Sequence, residues 1–383
     1  MIKVKKMAFL NSENQTHQVF SHYFSSMKDP RRTNKGHHLY PLEEILFLCI
    51  SAVISGMDDW TSISMFGRSK IVWLRQYLPY KHGIPSHDVL GKVFAALDPA
   101  QFSRCFSDWV NSMAELTGGE IIAVDGKTIC GSDKKSSGKS AFHVVSAYAT
   151  GNRLCLGQEA VDEKSNEITA IPALLKLLTV KGCIITIDAM GCQKSIAEAI
   201  IDKQADYVLM VKDNQKGLKE QVEKVFDLNS KTVADMTFDA GHGRIEQRIC
   251  QAIDDLAFLD DKEDWPGLKS IVKLISERTD KRSGKKSIET RYYISSLPAK
   301  PKVIGKAVRS HWAIENNLHW TLDVVFKEDN ALKKKGNSAL NYNVIAKMAL
   351  TIIERETESK NSRPKKRQLA ALDDDFRSKL LAG

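Results

Sequence analysis

Two short apolar runs, each closed by an aspartate with a glycine close behind, constrain the fold of this chain more than any other feature. They are IIAVDGKTI, around Asp125, and CIITIDAMG, around Asp188. Runs this uniformly apolar and β-branched read as strands buried on both faces, the pattern of a sheet covered by helices. Each aspartate stands where its run opens onto solvent. Open sheets gather ligands at the carboxyl ends of their strands, so both aspartates are expected to face one crevice. A single aspartate before a turn is more often a turn former; the argument rests on the recurrence.

The surrounding order extends this reading. IIAVDGKTI, AFHVVSAYAT and RLCLGQEAV form three consecutive strands. NEITAIPALLKLL, CIITIDAM, QKSIAEAIIDKQ, DYVLMVKD and KGLKEQVEKVF then alternate helix and strand. That order predicts an α/β fold, a ribonuclease-H-like mixed sheet with flanking helices. Residues 1–115 read as an N-terminal helical region, an accessory domain for DNA or a plain packing domain. Its clearest helix, PLEEILFLCISAVISG, has a proline start and a glycine stop. Residues 230–299 (GRIEQRICQAI, LKSIVKLISERT and IETRYYISSL) alternate as half-exposed strands, a β-rich insertion with SGKK as a hairpin turn. The catalytic domain is thus expected over 116–229 and 300–356, and residues 357–383 as a polar, basic, mobile tail.

The third acid, Glu315, lies in HWAIENNLHW, which has helical spacing. His311, Glu315 and His319 recur at every fourth position and share a face; Trp312, Asn316 and Trp320 form the neighbouring stripe. The stripe tryptophans read as packing residues. A zinc site on the two histidines and Glu315 is disfavoured, because side chains spread over two turns seldom converge on one small ion and no H-E-x-x-H occurs. Three carboxylates suit Mg²⁺ instead, which takes few protein ligands and keeps phosphate and water in its shell. Two such ions, roughly 3.5–4 Å apart, serve both sides of an in-line displacement at phosphorus.

Bulk properties are compatible with this. The chain has 383 residues and a formal charge of +9, which favours a polyanionic partner. Its seven cysteines form no C-x-x-C pair and read as buried small residues in a reducing compartment. The longest apolar run, ILFLCISAVI, is too short to cross a bilayer, and no signal peptide is evident, so a cytoplasmic location without membrane contact is expected. No P-loop, dinucleotide fingerprint or G-x-S-x-G elbow is present. Spaced carboxylates also occur in glycosidases, against which the basic charge and the strand-end placement argue.

With these motifs assembled, the chain closely resembles a DDE transposase of bacterial insertion sequences, in the branch that includes H-repeat-associated proteins linked to Rhs elements. The resemblance runs through PLEEILFLCISAVISG, IPSHDVLGKVFAALDP, IIAVDGKTICGS, HVVSAYAT, IDAMGCQ, DYVLMVKDNQ, GHGRIEQR and HWAIENNLHWTLDVVFKED. It implies that Asp125, Asp188 and Glu315 are the catalytic, metal-holding carboxylates, with Asp125 bridging two Mg²⁺ ions, for which Mn²⁺ substitutes. It implies strand cleavage at the element's ends and attack of the freed 3′-hydroxyl on target DNA, with a homodimer on DNA as the paired-end assembly. The alternatives are a catalytically impaired or domesticated DNA-binding remnant and a plain metal-dependent endonuclease. Related transposases often carry Y-x2-R-x3-E-x6-K around the glutamate; here those positions hold Val308, His311 and Leu322, and only the glutamate matches. His311 or Arg309 then takes the phosphate-binding role of the arginine, with Asn316 and His319 beside it on DNA.

Further basic groups join the list of DNA contacts. His242, Arg244, Glu246 and Arg248 fall at every second position of a strand, either to grip phosphate or to form a cross-strand ion-pair face; phosphate is the favoured reading. Lys127 and Lys212, near the two strand ends, are placed at the rim of the cleft to neutralise phosphate.

Overall fold

The computed structural model describes all residues except 1–21, 32–38, 134–139, 162–165, 229–231, 242, 261, 331–332 and 383. Four main helices come first: α1 (Leu42–Ile54), α2 (Trp60–Ser69), α3 (His87–Ala96) and α4 (Pro99–Met113). Their starts follow from local chemistry. Asp59 accepts from the Ser62 N–H, Ser86 from the Val89 N–H, and Asp98 from the Ala100 and Gln101 N–H groups ahead of Pro99.

The strands β1 (Ile121–Ile129), β2 (Phe142–Ala149) and β3 (Leu154–Val161) follow. After them come α5 (Glu167–Lys176), β4 (Ile184–Ile187), α6 (Lys194–Asp202), β5 (Asp206–Val211) and α7 (Lys216–Leu228). Four long strands, β6 (Val233–Gly241), β7 (Arg244–Ile253), β8 (Ser270–Asp280) and β9 (Lys286–Ser295), precede α8 (Pro301–Ala313). A π-helical segment, Ile314–His319, continues α8 into α9 (Trp320–Val324). The described chain closes with α10 (Ser338–Arg355), α11 (Arg363–Leu372) and α12 (Asp374–Ala382).

All nine strands of the described residues form one sheet, in the order β3-β2-β1-β4-β5-β9-β8-β7-β6. β4 lies parallel to both β1 and β5, and the other pairings are antiparallel. The segment expected as an insertion is therefore the outer half of the main sheet, joined through β9 against β5. Its alternation was legible, but the pairing that merges it with the core is long-range. The N-terminal helices likewise share a continuous apolar core with the sheet's inner half and with the buried α10.

The tail departs from expectation most. Residues 363–382 form two helices packed against the rest of the chain, with Lys366, Arg367, Ala370, Arg377 and Leu380 buried. Arg377 is fully buried: its guanidinium lies 4.0 Å from the Trp73 ring centre and donates to the Ala370 carbonyl at 2.6 Å. Arg367 donates to the Val53 carbonyl from both Nε and Nη2, at 3.1 and 2.8 Å, satisfying the end of α1. A basic composition read as solvated conceals arginines whose stems pack and whose heads bind carbonyls.

Candidate active site

Strand register builds the site. β1 and β4 are aligned with Ile121 beside Ile184 and Val124 beside Ile187, so Asp125, within β1, and Asp188, the first residue past β4, occupy the next positions side by side. Alternation decides their face. Ile121 and Ile184 pack in the apolar cluster beneath α8, with Ile304, Ala307 and Val308. Counting by twos, Ala123, Asp125, Thr186 and Asp188 face the same side. Thr186 confirms the count, because its Oγ1 lies 2.9 Å from His311 Nδ1 on α8. Both aspartates therefore face the helix that leads into Glu315.

Asp125 does not end its strand, which continues to Ile129 against β2. What ends there is the parallel pairing with β4, so a cleft opens on one side of an unbroken strand.

The cleft has a volume of about 260 Å³ and is lined by Asp125, Asp188 and Glu315, with Thr186, His311 and Trp312. The π turn places Glu315 on this wall; such turns are rare and frequent at functional sites. His311 and Glu315 line the cleft as their shared face predicts, and His319 sits beneath, its Nδ1 3.5 Å from Asp125 Oδ2. His319 Nε2 is buried with no hydrogen-bond partner.

Electrostatics mark the same group of residues. Burial, then the charges of Asp188 and Glu315, push the Asp125 carboxyl up to about 7. Burial and the charge of Glu167 raise Asp188. Burial holds His311 down at about 4, and burial with the nearby Lys347 and Lys127 holds His319 at about 3, so both rings are neutral at pH 7. An acidic cluster that resists its own ionisation favours a bound cation.

Among the described residues, no three His, Cys, Asp or Glu side chains are gathered tightly enough to hold an ion unaided. Mg²⁺ does not require such a cage: it is commonly held by one or two carboxylates, with phosphate and water completing the shell. Hard oxygen donors spread along one cleft fit that mode. They do not fit zinc, since the neutral imidazoles of His311 and His319 are turned to Thr186 and Asp125.

The basic residues separate into two groups. Lys212 is exposed and lines the cleft. Arg291 and Tyr293, which the sequence reading missed, line it as well; their alternation on β9 was visible, but not that β9 pairs with β5. Lys127 is not at the rim. Its ammonium is 2.6 Å from both Asp323 and Glu328 and 3.7 Å from Asp329, and its side chain is only 12% exposed. Arg244 is exposed on β7. Arg248 pairs with Glu246 at 2.5 Å, Arg278 with Glu246 at 3.1 Å, and Arg309 with Asp239 at 3.2 Å. The ion-pair arrangement is thus what the structure shows on this face, beside the cleft. Asn316 is exposed and donates to the Trp312 carbonyl at 3.0 Å; His242 lies outside the described residues. Trp312 packs beneath the Arg278 and Arg309 guanidinium groups, whereas Trp320, expected to pack, is 55% exposed.

A further acid was also missed. Glu167, at the start of α5, bonds His143 Nε2 at 2.6 Å. The pair closes over Gly126, where an added Cβ would lie 2.2 Å from Glu167 Oε1 and 2.5 Å from His143 Nε2. No motif connects residues 126, 143 and 167 in sequence; the pairing of β1 with β2 brings the first two together, and the packing of α5 on β2 adds the third.

Comparison with known proteins decides the family. A model described as "Transposase DDE domain" matches residues 116–352, and one described as "DDE_Tnp_1-associated" matches residues 21–110. The chain belongs to the DDE transposase family. It is 41% identical over 367 residues to "Putative transposase YncI" of Escherichia coli O157:H7, covering 94% of this chain and 93% of that protein. It is 40% identical over 370 residues to "H repeat-associated putative transposase YhhI" of Escherichia coli K12, covering 94% and 97%. "Putative protein YbfL" of the same strain is 39% identical, with the same coverage. The mixed sheet, flanking helices and N-terminal helical region are the ribonuclease-H-like architecture of that family. No described helix is long and apolar enough to cross a membrane.

Proposed function

We propose that this transposase cleaves DNA strands at the ends of an insertion sequence and joins the freed 3′-hydroxyl to target DNA, with Asp125, Asp188 and Glu315 as its metal-holding carboxylates. The observation that carries the reading is the register of β1 and β4, which sets two half-buried aspartates side by side, facing the segment that bears Glu315. In the first step a water oxygen bonds to phosphorus and the 3′-oxygen leaves. In the second, that 3′-hydroxyl attacks a target phosphodiester, and a target oxygen leaves in turn.

Two Mg²⁺ ions, or Mn²⁺, which Asp125, Asp188 and Glu315 would hold, would supply nucleophile activation and leaving-group stabilisation. The chain does the remainder. Lys212 and Arg291 meet phosphate from the β5–β9 side of the cleft. Neutral His319 beside Asp125 and neutral His311 on Thr186 fix the walls without adding positive charge that would compete with a cation. Arg244, Arg248, Arg309, Asn316 and His242 extend the DNA path, with Arg248 and Arg309 exchanging carboxylate partners for phosphates. The helices of residues 42–113 serve as the accessory DNA-binding module, two protomers pair the two ends, and the protein works in the cytoplasm.

The test uses duplex DNA from the sequences that flank this gene, with Mg²⁺ or Mn²⁺. Cleavage and strand transfer are expected, and Asp188→Ala is expected to abolish both while leaving DNA binding within about twofold. Cleavage that survives Asp188→Ala overturns the metal assignment. Transfer failing with pre-cut ends while cleavage persists identifies a plain endonuclease, and binding without either step identifies an impaired remnant. The replacement of the pattern's tyrosine and arginine by Val308 and His311 is what favours that last outcome.

A further inference from the structure

Lys127 makes contacts that its place two residues beyond Asp125 does not announce. By alternation its side chain leaves β1 on the same face as Asp125. Its Nζ donates to Asp323 Oδ1 and to Glu328 Oε2, both at 2.6 Å. Each partner leads elsewhere in the fold. Asp323 lies on α9, the direct continuation of the π segment that carries Glu315. Glu328 is 2% exposed and accepts from Asn343 Nδ2 on the buried α10. Asp329, 3.7 Å from the same ammonium, accepts from the Cys130 N–H just past β1 at 3.1 Å. One lysine thus ties together β1, α9, the turn after it and α10.

We infer that Lys127 is a positioning residue of the active site, holding the segment that bears Glu315 against the strand that bears Asp125, so that cations and phosphate find the two carboxylates at a fixed separation. This rests on the reading that those carboxylates hold metal. Two features of the fold call for such a tether. Past Val124, β1 has lost its β4 neighbour and is paired only with β2. The π segment departs from regular α-helical hydrogen bonding, so its seat depends more on tertiary contacts. A phosphate-gripping lysine would instead be exposed and would line the cleft, and Lys127 does neither.

The experiment uses Asp323→Asn in the full chain. This removes the charge linking Lys127 to α9 while leaving the buried Lys127–Glu328 pair intact, so the fold is retained. Cation binding is followed without DNA, by calorimetry and by the rise in melting temperature on adding Mn²⁺ or Mg²⁺. Cleavage is measured across metal concentration, and DNA affinity in chelator across salt. The expected result is Mn²⁺ binding weakened about tenfold and cleavage at saturating metal slowed by up to about 10²-fold, the scale of a misplacement near 1 Å, with DNA affinity unchanged. Lys127→Met is expected to do the same more severely, and Lys127→Arg to recover part of the metal affinity.

Unchanged metal binding and unchanged cleavage per folded molecule in Asp323→Asn overturn the inference while leaving the proposed function standing. Weaker DNA binding with a shallower salt slope in Lys127→Met also overturns it, in favour of phosphate contact. If the unmodified protein takes up no divalent cation, the proposed function itself fails and the inference falls with it.

Discussion

Removing the charge of Asp125 should make the metal-free protein more stable, although it disables the site. The carboxyl rises from 3.8 to about 7 in the folded chain, through burial and the charges of Asp188 and Glu315. At roughly 1.4 kcal/mol per tenfold change in proton affinity, the folded state carries a penalty of about 4 kcal/mol once the group is ionised. Below pH 3.8 both states hold the proton and there is no penalty. Between pH 3.8 and about 7 the unfolded chain releases it first, so stability falls as pH rises; above 7 the full cost remains.

Asp125→Asn removes that cost while keeping the size and shape of the side chain. Denaturant unfolding in chelator is therefore expected to show Asp125→Asn more stable than the unmodified chain by up to about 4 kcal/mol at pH 8, with the gap closing near pH 4. Relaxation of the cleft would reduce the gain without changing its sign. Saturating Mg²⁺ at pH 8 should raise the stability of the unmodified chain and leave the variant nearly unmoved. Equal stability at pH 8, or a gap independent of pH, would refute the claim that crowded carboxylates strain this site.

Three other outcomes follow from contacts elsewhere. Gly126→Ala forces its methyl into the His143–Glu167 pair and should cost about 1–3 kcal/mol by denaturant unfolding, with cleavage impaired through the adjacent Asp125. Arg377→Met removes the buried guanidinium from Trp73 and the Ala370 carbonyl and should cost about 3 kcal/mol, read by the same unfolding experiment. Lys212→Ala should weaken DNA binding and reduce the salt slope by about one, measured by titration across salt, because its exposed ammonium lies on the cleft wall.

The inner strands and the acidic positions were legible because burial on both faces leaves a strong mark: IIAVD and IITID have no other comfortable home than a covered sheet. The role of the outer strands was only half legible. Their alternation predicts strands, but pairing β9 with β5, which brings Arg291 and Tyr293 to the cleft, depends on partners some eighty residues apart. The tail misled because residue-type averages treat arginine as solvated, whereas Arg367 and Arg377 find carbonyls and aromatic faces inside. Lys127 misled for a similar reason: nothing near it in sequence reveals carboxylates that arrive about 200 residues later.

Local chemistry alone thus determined which segments are strands, where the helices start, and that three acids stand at the margins of buried elements. Periodicity and capping act over a few residues, so they can be read without knowing the fold. Which charges meet was decided only in three dimensions. Chain closure brings Asp323 and Glu328 onto Lys127, Glu167 onto His143, and Glu315 to the wall facing Asp125. Electrostatic partnership depends on distance and burial, and neither is a property of any short stretch of chain.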